Sequence, residues 1–229
     1  QAFQERFPLV PQMAAGLSLG EYAALTAAGA CDFATGLALV AKRGELMDEA
    51  CRQTEGGMCA VLGAPAAELE GLCRRHDIDM ANLNCPGQVI VSGARERVQA
   101  AAAELQASGC KAVLLPVAGA YHSRLMQPAA AEFATVLGGV TLQAPRLPVA
   151  QNICGTVVDS PDQIKRNLVT QIAGSVRWED CVRTLLGGCD VLLEFGPGTV
   201  LSGLLKRIDR SVPVYSINSC ETLDKAVAA

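Results

Sequence analysis

The chain has 229 residues, of which 50% are hydrophobic and 18% charged, with 19 lysines and arginines against 23 aspartates and glutamates. This composition excludes a disordered chain and supports a sizeable buried core. Because no part of the chain is strongly basic and the apolar runs are short, we expect a soluble protein that binds neither nucleic acid nor membranes.

The first predicted elements place a serine where a strand turns into a helix. A short strand over 12–15 runs into Gly16-Leu-Ser-Leu-Gly20, and an alanine-rich helix follows. Gly-x-Ser-x-Gly in this position is typical of a nucleophile elbow, whose glycines avoid Cβ clashes and whose tight turn presents the serine. The helix N-terminus and the N–H of Leu19 would then face a developing oxyanion. An accidental match in an Ala/Gly-rich chain is the alternative.

The next helix, predicted over 33–52 with Asp32 as its N-cap, carries a cation on its apolar side. Four apolar residues surround Arg43 at helical spacing: Leu39, Val40, Leu46 and Met47. A guanidinium that faces the interior needs an anion. That anion could be a structural carboxylate, the stem could instead snorkel to solvent, or Arg43 could grip the carboxylate of a substrate in a bidentate manner.

The order of elements changes between residues 55 and 117. There the strands and helices follow the order β-α-β-β-α-β of a ferredoxin-like unit, which we interpret as an inserted small subdomain. In the larger part, 1–54 and 118–229, strands alternate with helices, which predicts a mostly parallel sheet covered on both faces. The predicted fold class is therefore α/β.

The sequence offers two histidines as a base for the serine. His76 lies at a charged helix end and is predicted to be a surface residue. His122 lies in a glycine-containing loop directly after an apolar strand, where active sites of parallel sheets gather, although a purely structural histidine is the alternative. If Ser18 is the nucleophile, His122 is its base. We expect a Ser–His dyad, oriented by a backbone carbonyl or by the side-chain amide of Asn152 or Gln171.

The remaining signals are weaker. The ten cysteines are scattered singly, which indicates a reducing compartment, and with two histidines we predict no metal site. Gly196-Pro-Gly198 before a helix could cradle a phosphate, but one such turn is a weak signal and a plain strand-to-helix connection is the favoured interpretation. Asn82, Asn84 and Tyr121 could line a channel or fill turn and core positions.

Six ordered blocks of the sequence resemble malonyl-CoA:acyl carrier protein transacylases, and together they span essentially the whole chain. The blocks are Gly16-Leu-Ser-Leu-Gly-Glu-Tyr-Ala-Ala-Leu25, Lys42-Arg-Gly-Glu-Leu-Met47, Asn84-Cys-Pro-Gly-Gln88, Gly119-Ala-Tyr-His-Ser123, Val169-Thr-Gln-Ile172 with Val176-Arg-Trp178, and Glu194-Phe-Gly-Pro-Gly198. The resemblance implies a larger α/β hydrolase-like subdomain that carries the ferredoxin-like one.

The resemblance also implies roles for single residues. Ser18 is similar to the acylated serine and His122 to its base. Arg43 resembles the arginine that holds the malonyl carboxylate. Gln171 resembles the glutamine whose main-chain carbonyl orients the histidine, and the N–H of Leu19 would form half of the oxyanion hole.

Substrates, partners and location follow from the same resemblance. We expect malonyl-CoA and an acyl carrier protein as partners, no cofactor, a monomer, and a cytoplasmic location, with the plastid stroma or mitochondrial matrix as alternatives. Asn84 and Tyr121 would contact substrate, and the aromatic residue favours malonyl over methylmalonyl. Basic candidates for carrier docking are Lys165, Arg166, Arg177, Lys206, Arg207 and Arg210.

Two features depart from the family pattern. Leu17 stands where many bacterial members have histidine, and activity is expected to survive this change. The family's N-terminal Gly-Gln-Gly-Ser-Gln loop, source of a second oxyanion N–H, is missing, and losing one such donor costs about 10²–10³ in rate. Because the first residue is Gln1, we expect the sequence to begin inside a longer protein.

Three other functions stay open at this point. A serine esterase on the same elbow would pass the acyl group to water. An acyltransferase domain of a polyketide or fatty-acid megasynthase would have the same motifs. A fragment without activity would bind carrier protein and never acylate Ser18.

Overall fold

The computed structural model describes residues 2–7 and 10–228, which form an α/β fold. The helices are α1 (Ala2–Arg6), α2 (Gly20–Ala27), α3 (Phe33–Gln53), α4 (Ala66–His76), α5 (Arg95–Ala107), α6 (Gln127–Gly138), α7 (Pro161–Ala173), α8 (Trp178–Leu186), α9 (Val200–Ile208) and α10 (Cys220–Ala228). The strands are β1 (Ala14–Ala15), β2 (Gly56–Leu62), β3 (Asp79–Cys85), β4 (Gln88–Ala94), β5 (Lys111–Leu114), β6 (Val149–Ala150), β7 (Leu192–Phe195) and β8 (Val214–Ile217). Within this part of the chain, no helix has the length and apolar character needed to span a bilayer.

The parallel strands belong to the larger part of the chain. β1 pairs with β6, so that Ala14 lies opposite Val149, and β7 pairs with β8. The predicted α/β class is confirmed, but the described parallel strands form two separate pairs rather than one wide sheet. β1 is short because the chain leaves strand geometry at Gly16, where the turn toward Ser18 begins.

The segment between residues 56 and 114 forms an antiparallel sheet with the strand order β3-β4-β2-β5. Helices α4 and α5 pack on one face of this sheet, and the core between them consists of residues from this segment alone. Its other face carries a small cluster of Met58, Ala81 and Ile90, against which Tyr121 packs. This second face therefore meets the loop that contains His122.

The main core lies where α2, α3, α6 and α7 meet, and it positions the residues of the site. Asp32 caps α3 as predicted, since its Oδ1 accepts a hydrogen bond of 2.7 Å from the Thr35 N–H. One apolar stripe of α3 faces this core, and Arg43 lies within that stripe. On α6, Phe133 is fully buried. Its ring meets the ring of Tyr22 edge to face, with 6.2 Å between the two ring centroids.

Replacing Phe133 should weaken the whole fold. We expect Phe133→Ala to lower the free energy of unfolding by about 3–5 kcal/mol, because the cavity that it leaves cannot close completely. Phe33→Ala is the matched control, since Phe33 is 74% exposed at the start of α3, and it should change stability by less than about 0.5 kcal/mol. Urea denaturation followed by circular dichroism measures both, and equal losses would contradict this description of the core.

Candidate active site

Ser18 lies in a strained turn between β1 and α2. Its φ of +53° is in the left-handed region that non-glycine residues rarely adopt. Gly16 makes the turn possible, because a Cβ there would lie 2.0 Å from the carbonyl carbon of Gly20. The expectation that both glycines avoid clashes is wrong for Gly20, whose Cβ would meet nothing within 4 Å. Helix α2 begins at Gly20, two residues after the serine.

His122 faces Ser18 from the loop after β5, and it too has a positive φ, +57°. Its Nε2 lies 2.8 Å from the Ser18 Oγ, and its Nδ1 lies 2.8 Å from the main-chain oxygen of Gln171. A carbonyl oxygen only accepts hydrogen bonds, so Nδ1 carries the proton and Nε2 is free to accept the serine proton. Gly119 lets this loop approach α3, because a Cβ there would lie 2.0 Å from the Cys51 Sγ.

The surroundings of His122 keep its imidazole neutral. Burial, together with the nearby charge of Arg43, lowers the pKa of His122 to about 4, although the hydrogen bond to Gln171 acts in the opposite direction. A neutral imidazole that already points Nε2 at a hydroxyl has the protonation state that a general base needs at neutral pH.

Arg43 reaches the same serine from α3. It is 5% exposed, and its Nη2 donates hydrogen bonds of 2.9 Å to the Ser18 Oγ and 3.1 Å to the Gln171 Oε1. No carboxylate of the described residues lies within the 4.0 Å of an ion pair with it. Within the described chain Arg43 therefore makes no direct ion pair with a structural carboxylate, and its burial contradicts the snorkelling interpretation.

Arg43 keeps unused capacity to bind an anion. Its Nε is buried and has no acceptor in hydrogen-bonding geometry among the described residues. The Tyr22 ring lies beside the charge, with its centroid 5.6 Å from the guanidinium carbon, a distance at which a cation and an aromatic face attract. Burial lowers the pKa of Arg43, while Tyr22 and Glu21 raise it. An anionic ligand beside Ser18 would complete this arrangement.

A buried network of hydrogen bonds holds the backbone of the turn that carries Ser18. Asn152 holds both sides of the turn, because its Oδ1 accepts from the Ser18 N–H at 2.6 Å and its Nδ2 donates to the Gly16 oxygen at 2.8 Å. The Gln171 Nε2 donates to the Ser18 oxygen at 3.1 Å and to the Asn152 Oδ1 at 3.2 Å. Asn152 was an alternative orienting group for the histidine, but the carbonyl of Gln171 has that position and Asn152 contacts the serine instead.

Glu21 completes this network, and the sequence analysis did not identify it. It is fully buried, and its Oε2 accepts hydrogen bonds of 2.9 Å from the Asn152 N–H and 2.8 Å from the Gln171 Nε2. Burial raises the pKa of Glu21 to about 7, although those hydrogen bonds and the charge of Arg43 lower it. The detectable signal was its position in the first turn of the helix after the serine, directly beside Gly20.

The other predicted residues make no side-chain hydrogen bond to Ser18 or His122 in the described chain. Leu19 is exposed, and its N–H makes no hydrogen bond within the described chain, so the donor next to Ser18 is available. Tyr121 is half-buried between the main core and the small antiparallel sheet. Asn84 is buried in β3 with its Oδ1 unpaired among the described residues, and no hydrogen bond joins it to Ser18 or His122.

The N-terminus of α9, after the glycine-rich turn, binds the carboxylate of Glu194. Glu194 accepts hydrogen bonds from the Leu201 N–H at 2.9 Å, from the Ser202 N–H at 3.1 Å, and from the hydroxyls of Ser202 and Ser216. Because these donors are already hydrogen-bonded to a carboxylate of the protein, the structure favours the plain turn as the interpretation of Gly196-Pro-Gly198. His76 pairs with Glu104 at the protein surface. No cluster of possible metal ligands occurs in residues 2–7 and 10–228.

Several known proteins resemble this chain over most of its length. The sequence profile of the acyl transferase domain matches residues 8–223. The malonyl CoA-acyl carrier protein transacylase of Bacillus subtilis is 38% identical over 96% of this chain and 71% of its own length. The polyketide biosynthesis malonyl CoA-acyl carrier protein transacylase BaeC of Bacillus velezensis is 45% identical over 86% of this chain and 69% of its own length.

A solved structure of a malonyl-transacylase in complex with its type II polyketide acyl-carrier protein superimposes on the chain with a TM-score of 0.95. The sequences are 36% identical, and the match covers 99% of this chain and 75% of that one. A sequence profile that matches most of the chain and a structural match of this quality lead to the same conclusion. The chain belongs to the acyl transferase domain family.

Proposed function

We propose that the protein transfers a malonyl group from malonyl-CoA to the phosphopantetheine thiol of an acyl carrier protein through an ester on Ser18. The main observation that supports this is the position of the Ser18 Oγ, 2.8 Å from a neutral imidazole nitrogen and 2.9 Å from a buried guanidinium. A hydroxyl between a base and a cation suits a thioester substrate with a free carboxylate at its other end.

The first half-reaction forms the ester. As the Ser18 Oγ attacks the thioester carbonyl, its proton moves to the His122 Nε2, and the Leu19 N–H donates to the developing oxyanion. The C–S bond then breaks, and the leaving CoA sulfur takes the proton from His122. The main-chain oxygen of Gln171 holds the imidazole in the required tautomer through both proton transfers.

The second half-reaction is the reverse with a different thiol. The pantetheine thiol of the carrier gives its proton to the His122 Nε2 and attacks the ester carbonyl. The C–O bond to Ser18 breaks, and the serine recovers the proton from His122. Atoms and charges balance without a cofactor, so we propose that none is needed.

Arg43 selects the acyl group in this proposal. A malonyl carboxylate would accept hydrogen bonds from the guanidinium and draw it away from the Ser18 Oγ, which frees a lone pair of the nucleophile. An acetyl group would offer no such acceptor. Asn84 and Tyr121 are proposed to border the acyl channel, since Tyr121 directly precedes His122 and lies between the two parts of the chain.

The division of the chain supports a site between two lobes. We propose residues 1–54 and 118–229 as the acyltransferase subdomain and 55–117 as the small subdomain, because the latter has a core made of its own residues. We propose a cytoplasmic location, supported by ten cysteines that are all unpaired.

Two pathways use such a transfer, and the comparisons favour neither exclusively. Transacylases without a stated polyketide role and the polyketide relative BaeC both align over most of this chain, the latter at the higher identity of 45%. We therefore keep polyketide synthesis as a second setting for the same reaction. Comparing the rate of transfer to a fatty-acid carrier and to a polyketide carrier distinguishes the two.

Incubation with malonyl-CoA should place a malonyl group on Ser18. Intact mass measurement detects the adduct, and Ser18→Ala should abolish it because no other hydroxyl in the described chain is hydrogen-bonded to His122. Adding carrier protein should move the malonyl group to the carrier thiol. Release of free malonate at a rate independent of carrier would instead identify an esterase, and a wild-type chain without any adduct would identify a protein that does not catalyse acyl transfer.

Arg43→Ala should lower the acylation rate with malonyl-CoA by at least about tenfold and leave acetyl-CoA nearly unchanged, because each hydrogen bond to a charged group contributes about 1.5–3 kcal/mol. The ratio of kcat/KM for the two thioesters measures this effect. Lys42→Ala is the matched control, since Lys42 pairs with Glu45 on the exposed side of the same helix. An Arg43→Ala protein with unchanged malonyl preference would remove Arg43 from this role.

Ser18 should keep its reactivity well into acid. An uncharged sulfonyl fluoride reports on the serine without a titrating substrate, and its rate of labelling should fall with a midpoint near pH 4, where His122 gains a proton. The sign follows from the pKa: burial lowers it, so the neutral base persists below its ordinary range. Circular dichroism at each pH verifies the fold, and a midpoint near the ordinary histidine pKa of about 6.5 would contradict this assignment.

A further inference from the structure

We propose that Glu21 is a positioning residue that sets the preference for a carboxylate-bearing acyl group, by fixing the side-chain amide of Gln171 and through it the guanidinium of Arg43. This inference rests on the proposed malonyl transfer and adds a residue that never touches the substrate. It stands on hydrogen-bond geometry between buried groups.

The hydrogen bonds of the Gln171 side chain fix which end of its amide faces which neighbour. Its Nε2 lies within hydrogen-bond distance of three oxygens, on Glu21, Ser18 and Asn152, at 2.8, 3.1 and 3.2 Å. An amide nitrogen donates two hydrogens, so Glu21, at the shortest distance, takes the strongest share. With the nitrogen held there, the Oε1 necessarily points the other way.

The oxygen of the same amide, the Gln171 Oε1, faces the guanidinium of Arg43. The Gln171 Oε1 accepts a hydrogen bond of 3.1 Å from the Arg43 Nη2. The same nitrogen donates a hydrogen bond of 2.9 Å to the Ser18 Oγ. If the amide turned over, its NH₂ group would face the guanidinium, and two donors would oppose each other in a buried site. Of the three oxygens that hold the nitrogen on its side, Glu21 makes the shortest hydrogen bond and therefore contributes most to keeping an acceptor toward Arg43.

The carboxylate of Glu21 also supports the turn that carries Ser18. The Oε2 of Glu21 also accepts from the Asn152 N–H at 2.9 Å. Asn152 in turn holds the N–H of Ser18 and the oxygen of Gly16. The Oε2 of Glu21 thus connects the turn that carries Ser18 to the helix that carries Gln171. The Oε1 of Glu21 has no hydrogen-bond partner in the described chain.

Three substitutions of Glu21 separate positioning from simple stability. Glu21→Leu removes the acceptor and should lower the malonyl-to-acetyl ratio of Ser18 acylation by about tenfold, the worth of one hydrogen bond to a charged group. Glu21→Gln keeps an acceptor oxygen of the same reach, so it should restore the ratio to within about twofold of wild type. Glu21→Asp withdraws the oxygen by one methylene, and it should give an intermediate ratio in a protein that folds even if Glu21→Leu does not.

A second set of variants tests the path through Gln171. Gln171→Leu keeps the main-chain oxygen that orients His122 and removes only the side-chain amide, so it should reproduce the loss of preference. The double variant with Glu21→Leu should show no further loss, because both changes act on one contact. Glu194→Leu is the matched control: it removes a hydrogen-bonded carboxylate that holds α9 and should lower stability without moving the ratio.

The state of the Gln171 amide gives a readout that does not depend on malonyl transfer. In ¹⁵N-labelled wild-type protein its NH₂ resonances, assigned by their loss in Gln171→Leu, should exchange slowly with solvent. They should exchange faster in Glu21→Leu and Glu21→Asp and remain protected in Glu21→Gln. A wild-type protein that takes up no malonyl group would refute the proposed function alone, whereas unchanged amide exchange or an unchanged acyl preference in folded Glu21→Leu or Glu21→Asp would overturn the role of Glu21.

Discussion

Gln171 has no exposed surface, yet it carries polar groups at both its backbone and its side chain, and each must find a partner inside the protein. Its main-chain oxygen accepts from His122, its side-chain oxygen from Arg43, and its side-chain nitrogen donates to Ser18 and Glu21. The same residue therefore fixes the tautomer of the base and the position of the cation. Ser18, His122 and Arg43 keep one geometry because a single buried residue is hydrogen-bonded to all three.

The packing of three helices brings these groups together from distant parts of the chain. Arg43 lies on α3 and Gln171 on α7, and both helices contribute to the core around α6. Gly119 allows the histidine loop to lie against α3, and Gly16 allows the serine turn to close on α2. Ser18, His122 and Arg43 thus all lie outside the antiparallel segment of residues 56–114, whose second face packs against Tyr121.

Periodicity and motif spacing were sufficient to predict the fold class, the helix that carries Arg43 and the inward direction of its side chain. They could not predict Glu21, because an acidic residue in the first turn of a helix is also what the helix dipole favours at an exposed position. Helices α8 and α10 and strand β8 were missed, since short segments between turns give weak periodic signals. The separation of the parallel strands into two pairs depends on long-range pairing, which a local pattern does not encode.

Ser18 and His122 are two of the three non-glycine residues in the described chain with a positive φ. Such a backbone costs about 1–3 kcal/mol at each position, and a glycine would relieve it. Selection for heat resistance alone would therefore drive both positions toward glycine, at the expense of the hydroxyl and the imidazole. At these two positions, the residue that would stabilise the fold most cannot carry the reactive side chain.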